Sequence, residues 1–292
     1  MHPRTCVSGI STFRLDLAED LAFWSRHGID TVGVSVAKIE AMGWEPATDA
    51  LGRAVEAGLV IADLIGLGAF DLARPTTWDR GRDRCRHTLA AAVRLGVPRI
   101  VFTTGRFVPL TWEEAADAFA EAVAPVVREA ADSGVEFVIE HTNSLRPDIG
   151  FVHTLRDALA LARRIGAGVC MEVNACWAER DLAATVADGI DRISLVQVSD
   201  FRVGTVASSQ RCVPGDGDIP LARIVHTLLD AGYAGPFELE LIGDAIAEEG
   251  YDAAVPRAVA WLDHLLTELD PESDRKSTRL NSSHVSESRM PS

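Results

Sequence analysis

The chain has 292 residues and a formal net charge of −15, from 28 basic and 43 acidic side chains. This acidity argues against nucleic acid or an anionic membrane surface as a partner, because both attract basic patches. Hydrophobic residues make up 47% of the chain, enough for a sizeable core, yet no stretch approaches the roughly 20 apolar residues of a membrane span.

Short apolar runs alternate with amphipathic helical patterns along the whole sequence. The helical patterns tend to close on glycine, as at Gly28 and Gly96. One longer pattern opens on a capping box of Thr111 and Glu114, and Pro125 inside it predicts a kink or a break. The apolar runs are too short for stable helices and are predicted as eight strands, at residues 6–10, 31–34, 59–65, 99–103, 136–140, 169–172, 193–198 and 237–241.

Unbroken alternation of strand and helix is typical of parallel strands joined by helical crossovers. Eight such units predict an α/β fold, a single-domain (β/α)8 TIM barrel over residues 1–273. An open doubly wound sheet is the alternative. That fold usually carries a G-x-G-x-x-G turn after the first strand, and the sequence GISTFRLD at that position does not match it.

The last segment, residues 274–292, differs from the rest in composition. Its run DRKSTRLNSSH resembles the translation of a sequencing-adapter oligonucleotide, so we interpret the segment as a non-native, disordered tail. The chain has five cysteines, an odd number without C-x-x-C spacing, and its first residues lack a signal-peptide pattern. These features predict reduced thiols and a cytoplasmic location.

Polar side chains lie at or near the ends of the last four predicted strands. Glu140 ends the fifth strand, Glu172 ends the sixth, Gln197 lies late in the seventh and Glu240 lies late in the eighth. In a barrel these positions converge on the rim where the strands end, which is where TIM-barrel active sites lie. Carboxylates crowded there repel one another unless a cation lies among them, and oxygen ligands suit Mg²⁺ or Mn²⁺.

Glu238 shares a strand face with Glu240 but lies two residues earlier, one layer deeper in the barrel. A buried carboxylate without a partner is destabilising by several kcal/mol. We therefore expect Glu238 to be hydrogen-bonded or ion-paired near the barrel floor and not to belong to the metal site.

Four segments carry a family resemblance, namely PGDGDIPL, AGYAGPFELEL, AVRLGVPRIV and GVEFVIEH. With them the chain resembles the sugar phosphate isomerase/epimerase superfamily of xylose isomerase-like TIM barrels, which includes D-tagatose 3-epimerase and inosose dehydratase. The resemblance covers about residues 5–268. It implies one divalent metal, Mn²⁺ first and otherwise Mg²⁺, Co²⁺ or Zn²⁺, held by Glu140, Glu172, Gln197 and Glu240.

The sequence departs from the family pattern at two of these four positions and at one further position. Glu172 stands where the family has Asp, Gln197 where it has His, and Ala175 where the epimerases often have a substrate-binding His. Glutamate and glutamine oxygens still ligate metals, so the metal site remains the expectation. The loss of the His weakens the prediction of a strict sugar epimerase.

The resemblance implies an isomerase or epimerase that acts on a keto-sugar or related polyol. The metal would acidify the C–H next to a carbonyl, and Glu140 and Glu240 would move the proton through an enediolate. Elimination from the same enediolate is the alternative, as in a dehydratase or a lyase that cleaves 3-oxo-C-glycosides. A degenerate barrel that only binds a sugar or a partner, as an accessory subunit or a homo-oligomer, is a further alternative.

Residues near the predicted strand ends are candidates for binding the substrate. An acid and an Arg that contact sugar hydroxyls in the family suggest Asp200 and Arg202, although the spacing of the Arg is imperfect. The other candidates follow from their place after strands one, five and six; they are Phe13, His141, Asn143 and Trp177.

Overall fold

The computed structural model describes residues 1–207 and 209–269 of the chain. In these residues eight parallel strands close into a barrel in chain order, with the last strand paired to the first. The prediction of a (β/α)8 barrel is therefore confirmed. The strands are β1 (Thr5–Ser8), β2 (Thr31–Ser35), β3 (Val60–Gly66), β4 (Arg99–Thr103), β5 (Glu136–Glu140), β6 (Gly168–Glu172), β7 (Ile193–Val198) and β8 (Phe237–Leu239).

Eleven α-helices occur in the described residues, and most of them pack around the outside of the barrel. The helices are α1 (Leu17–His27), α2 (Val36–Met42), α3 (Trp44–Glu56), α4 (Trp78–Leu95), α5 (Trp112–Asp132), α6 (Leu155–Ile165), α7 (Val173–Cys176), α8 (Leu182–Gly189), α9 (Leu221–Asp230), α10 (Asp244–Glu249) and α11 (Tyr251–Leu269).

The helix ends predicted from the sequence are confirmed where a cap was recognised. Gly28 and Gly96 adopt the left-handed conformation that favours glycine, at φ +63 and φ +69, and end α1 and α4. Thr111 and Glu114 form the reciprocal capping box of α5. Of the kink or break predicted at Pro125, the break is wrong, because α5 continues through that residue to Asp132.

The barrel interior divides into an apolar side and a polar side. Side chains from β3 to β7 form a small apolar cluster inside the barrel, made of Ile65, Val101, Val138, Cys170 and Leu195. The strands that close the barrel, β8, β1 and β2, present polar or small residues to the same space, because successive residues of a strand alternate between its two faces.

No helix in the described residues is both long and apolar enough to cross a membrane. All five cysteines are buried and none forms a disulfide, as the sequence predicts. The predicted tail, residues 274–292, lies outside the described residues.

Candidate active site

Three of the predicted acids face one cavity at the carboxyl end of the barrel. Glu140 and Glu172 are the last residues of β5 and β6, and Glu240 directly follows β8. All three are almost fully buried, and all three line a cavity of about 930 Å³. The strand ends therefore bring these carboxylates to the place where the enzymes of this fold carry out their chemistry.

The cation that meets these acids is Arg211, which we did not identify as a site residue from the sequence. Its Nη1 pairs with Glu240 Oε2, lies 3.7 Å from Glu172 Oε1 and donates to the backbone oxygen of Glu240 at 3.1 Å. Burial alone would lower the pKa of Arg211, but the charges of Glu172 and Glu240 raise it above its ordinary value. The guanidinium is therefore a fixed positive charge in the mouth of the barrel.

Glu140 is the least satisfied of the three acids. Its Oε2 is buried and has no hydrogen-bond partner among the described residues. Burial raises the pKa of Glu140 well above its ordinary value, and the charges of Glu240 and Glu172 raise it further. A group that binds this oxygen, whether a proton, a cation or a substrate hydroxyl, would relieve the penalty of burial.

Glu172 is held more firmly. Its Oε1 accepts from the backbone N–H of Asn174 at 3.1 Å, at the first turn of α7. Burial raises the pKa of Glu172 to about 7, while the charge of Arg211 lowers it. The carboxylate is therefore oriented by backbone before any ligand binds.

Gln197 does not line the mouth cavity. It pairs in register with Glu238, and its Nε2 donates to Glu238 Oε2 at 3.0 Å. The prediction for Glu238, a hydrogen-bonded acid below the mouth, is confirmed. Gln197 Oε1 is buried and unpartnered among the described residues, so the amide keeps one free acceptor.

Two of the six predicted substrate-binding residues line the cavity. Phe13 is 67% exposed and forms part of its outer wall, where an aromatic face is open to a ligand. Asn143 lines it as well, with its Oδ1 accepting from the backbone N–H of Leu145 at 3.0 Å. The other four do not line it: His141, Trp177, Asp200 and Arg202.

Asp200, predicted to bind substrate, has a structural role in this fold. It is 1% exposed, and its two oxygens accept from four backbone N–H groups, those of Phe201, Gly215, Gly217 and Ile219, at 2.8–3.1 Å. The PGDGD turn thus wraps around this carboxylate. A bridge between Asp200 and Cys212 then fixes the segment that carries Arg211.

The remaining three candidates also have structural explanations. His141 is fully buried, and its Nε2 accepts from the backbone N–H of Glu172 at 3.2 Å, so it positions a mouth acid from behind. The Nε of Arg202 donates to the backbone oxygen of Asp216 at 3.2 Å. Trp177 packs, partly buried, against the core.

The mouth acids stand too far apart to be a closed metal site in this conformation. In the described residues one group of three carboxylate, thiol or imidazole side chains has ligand atoms all within 4.8 Å of one another, and it consists of Cys6, Asp63 and Glu238. The three mouth glutamates do not form such a group, and Arg211 lies between two of them.

Comparison of the sequence with known proteins identifies a family. The family model of the xylose isomerase-like TIM barrel matches residues 21–265. No curated protein sequence matches the chain.

Three solved structures illustrate the likeness in fold. A protein of Sinorhizobium meliloti 1021 has a TM-score of 0.78 and 23% identity over 92% of this chain and 99% of its own. The IOLI protein with a bound zinc atom has a TM-score of 0.79 and 17% identity over 91% of this chain and 99% of its own. D-Psicose 3-epimerase of Clostridium cellulolyticum H10, solved with D-tagatose, has a TM-score of 0.74 and 14% identity over 90% of this chain and 99% of its own. Because the family model covers most of the sequence, the chain belongs to the xylose isomerase-like TIM barrel family.

Proposed function

We propose that this chain is a divalent-metal-dependent isomerase or epimerase that acts on a keto-sugar or related polyol. The observation that carries the proposal is the convergence of Glu140, Glu172 and Glu240 on one cavity of about 930 Å³. Solved structures of the same fold include an epimerase with a bound ketose and a protein with a bound zinc atom, which supports this reaction class.

The donor types, three carboxylates in the mouth and the amide oxygen of Gln197 outside its lining, suit a divalent cation, and the acids would draw together to bind it. Glu140 Oε2 and Gln197 Oε1 are buried acceptors without a partner among the described residues. Arg211 is ion-paired with Glu172 and Glu240, whereas Glu140 Oε2 is left available to a cation. Glu140, Glu172 and Glu240 would hold the ion with Gln197 Oε1, and Arg211 would then release Glu240 toward the ion.

Gln197 would take the place that a His holds in the family. A metal-bound His usually donates its second N–H to a carboxylate, which fixes the ring. Gln197 does the same with its amide, since Nε2 donates to Glu238 and leaves Oε1 as the free end. Glu238 is then a supporting residue of the proposed ligand set.

The bound ion would supply Lewis-acid polarisation of a carbonyl and its neighbouring hydroxyl. The chain's own residues would move the proton. Glu140 on β5 and Glu240 after β8 approach the cavity from strands three apart in the barrel, so one could remove a proton from one face of the substrate and the other return it. Arg211, once it has released Glu240, would be available to the oxygen on which negative charge develops.

The cavity favours an uncharged substrate. Five basic side chains line it, and four are already ion-paired: Lys38 with Asp20, Arg84 with Glu40, Arg146 with Asp148 and Arg211 with Glu240. Arg14 is the one lining cation without an ion pair among the described residues, so a phosphate would meet a single unpaired cation, whereas a neutral polyol could use the paired side chains as hydrogen-bond partners. A cytoplasmic location and assembly with a second copy or a partner subunit remain predictions from the sequence.

The test is proton exchange next to the carbonyl. Protein loaded in turn with Mn²⁺, Mg²⁺, Co²⁺ and Zn²⁺ is incubated with a panel of keto-sugars, inososes and oxidised glycosides in deuterated water. Deuterium incorporation by NMR reports proton transfer, and the product separates epimerisation from elimination. We expect Glu140→Gln and Glu240→Gln each to lower exchange by about 10²–10⁴-fold.

Glu136→Gln is the matched control, because Glu136 begins the strand that Glu140 ends and accepts from the hydroxyl of Ser194 at the opposite end of the barrel. This variant should exchange at the wild-type rate. The proposal fails if no metal supports exchange with any substrate, or if both mouth variants retain it.

A further inference from the structure

A second group of ligand atoms lies inside the barrel, apart from the mouth. It consists of Cys6 on β1, Asp63 on β3 and Glu238 on β8, and each of these side chains is fully buried. One thiol sulfur and two carboxylate oxygens lie within 4.8 Å of one another. None of the three residues lines the mouth cavity.

The strand register explains why these residues meet. Cys6 is in register with Glu238 across the β1–β8 pair, and Gly33 is in register with Asp63 across the β2–β3 pair. Gly33 leaves the space that both carboxylates use: a Cβ there would lie 1.9 Å from Glu238 Oε1 and 2.9 Å from Asp63 Oδ1. The two acids therefore point into one space above a glycine.

The oxygens in this space lack partners. Neither Oδ1 nor Oδ2 of Asp63 has a hydrogen bond among the described residues, and neither does Glu238 Oε1. Glu238 Oε2 alone is satisfied, by Gln197 Nε2 at 3.0 Å. Three orphaned carboxylate oxygens in one fully buried cluster carry a large desolvation penalty, because each would be hydrated in the unfolded chain.

A shared proton would satisfy this cluster only in part. One proton between Asp63 and Glu238 provides for two of the three orphaned oxygens, and the third is left with the S–H of Cys6, which is a weak donor. A divalent cation can contact all three oxygens together with the sulfur. Its two charges and that of the nearby Arg99 guanidinium would balance two carboxylates and a thiolate.

We propose that Cys6, Asp63 and Glu238 form a second, structural metal site inside the barrel, specific for a thiophilic divalent cation such as Zn²⁺ or Co²⁺. A thiolate with carboxylate oxygens is a ligand set that Zn²⁺ accepts and that Mg²⁺ does not favour. Asp63 has two free oxygens and can provide one or two of the donor atoms. The site does not depend on the function proposed for the mouth.

The position of the site suggests what the ion would do. It would link β8, β1 and β3 on the polar side of the barrel, where the small apolar cluster of β3 to β7 does not reach. Burial raises the pKa of Cys6 well above its ordinary value, so the thiolate forms there only with a cation. Because all three ligands are fully buried, the ion would enter as the barrel folds.

The test uses the full chain with the mouth site disabled by Glu140→Gln. The protein is unfolded in denaturant with reductant and chelator, refolded with excess Co²⁺, desalted, and examined for cobalt content and absorption. A thiolate bound to Co²⁺ gives a ligand-to-metal charge-transfer band in the near ultraviolet, and the proposed mouth ligands include no thiol. We expect about one Co²⁺ per chain and this band.

Two cysteine variants in the same background assign the band. Cys6→Ser should abolish it. Cys170→Ser is the matched control and should keep it, because Cys170 is also fully buried and faces the barrel interior, but within the apolar cluster. Circular dichroism of each metal-free variant checks the fold.

Asp63→Asn provides a second test that leaves the thiol in place and should lower Co²⁺ affinity at least tenfold. The proposal is overturned if the refolded Glu140→Gln protein shows no charge-transfer band, if Cys6→Ser keeps the band, or if Asp63→Asn binds Co²⁺ as tightly as its parent. If the chain with Glu140 binds Co²⁺ and the Glu140→Gln chain binds none, all binding belongs to the mouth, and the second site is equally refuted.

Discussion

Asp200 and Glu140 are both acids buried at the carboxyl end of the barrel, but their surroundings are opposite. Both oxygens of Asp200 are filled by the four backbone N–H groups of the turn that surrounds it. Glu140 has a buried oxygen with no partner in the described part of the chain, and it faces a cavity. The same residue class therefore serves structure in one place and is left available for a ligand in the other.

The difference shows how to recognise a functional acid among buried acids. Burial alone does not distinguish the two residues, since Asp200 is 1% exposed and Glu140 is 6% exposed. What distinguishes them is whether the protein itself provides hydrogen bonds to the carboxylate. A buried carboxylate without such bonds is destabilising unless a ligand or proton offsets the penalty. By that criterion Asp63 belongs with Glu140, and Asp20, bonded to Lys38 and Thr12, belongs with Asp200.

Removing the satisfied acid should have the largest effect on stability. Asp200→Ala leaves four backbone N–H groups without their acceptor, and we expect the free energy of unfolding to fall by about 3–5 kcal/mol. Asp200→Asn keeps one acceptor oxygen and should lose less. Urea unfolding followed by circular dichroism measures both, with the exposed Asp230→Ala as control. A loss below about 1 kcal/mol for the alanine variant would contradict the structural role of Asp200.

Breaking the buried pair of Asp20 and Lys38 should have the next largest effect. The Nζ of Lys38 donates to Asp20 Oδ2 at 2.6 Å. The side chain of Asp20 is 1% exposed and that of Lys38 is 10% exposed. Lys38→Met would leave the carboxylate buried without its cation, so we expect a loss of about 2–4 kcal/mol at pH 8.

The same variant should be less damaging in acid. Burial raises the pKa of Asp20 to about 6 against the opposing effect of Lys38, so without Lys38 it would rise further. A carboxyl group whose pKa is raised by folding contributes stability that is fully present below its pKa in the unfolded chain, 3.8, and is lost as the pH rises through its pKa in the folded chain. The difference between wild type and Lys38→Met should therefore shrink by about 1–2 kcal/mol at pH 5. Equal differences at pH 5 and pH 8 would show that Asp20 does not titrate in this range.

The fold was predictable from the sequence because each strand is a short buried run between recognisable helix ends. The predicted strands at 99–103, 136–140 and 193–198 agree with β4, β5 and β7 at both ends. The helices α2 and α3 were not predicted, because α2 follows directly on strand β2 and neither helix has a side-chain hydrogen bond at its N-cap, Ser35 or Gly43.

The site was predictable only in part, because depth along a strand and the path of a loop are set by tertiary structure. Glu140, Glu172 and Glu240 face the cavity as the strand-end rule predicts. Gln197 lies late in its strand too, but it bonds to its register partner Glu238 and does not line the cavity. Arg211 comes three residues before the PG turn, in a loop whose course depends on how the turn wraps Asp200; a basic residue so close to a Gly-rich turn was the one available signal.

His141 is the basic counterpart of these acids. Its Nδ1 is buried and unpartnered in the described residues, while its Nε2 accepts from the backbone N–H of Glu172. Burial, with a contribution from His153, lowers the pKa of His141 to about 3. The unfolded chain binds a proton at this side chain below about pH 6.5, whereas the folded chain does not, so stability is lost as the pH falls below 6.5.

His141→Gln keeps an acceptor for the Glu172 N–H and removes the titration. Relative to this variant, the wild type should lose about 1.4 kcal/mol of unfolding free energy for each pH unit below 6.5, or about 2 kcal/mol at pH 5. The exposed His264→Gln is the control and should follow the wild-type curve. If His141 acts from behind Glu172, its replacement should leave KM within about twofold once a substrate is found. A large rise in KM with parallel pH–stability curves would instead return His141 to the substrate-binding role that its sequence position first suggested.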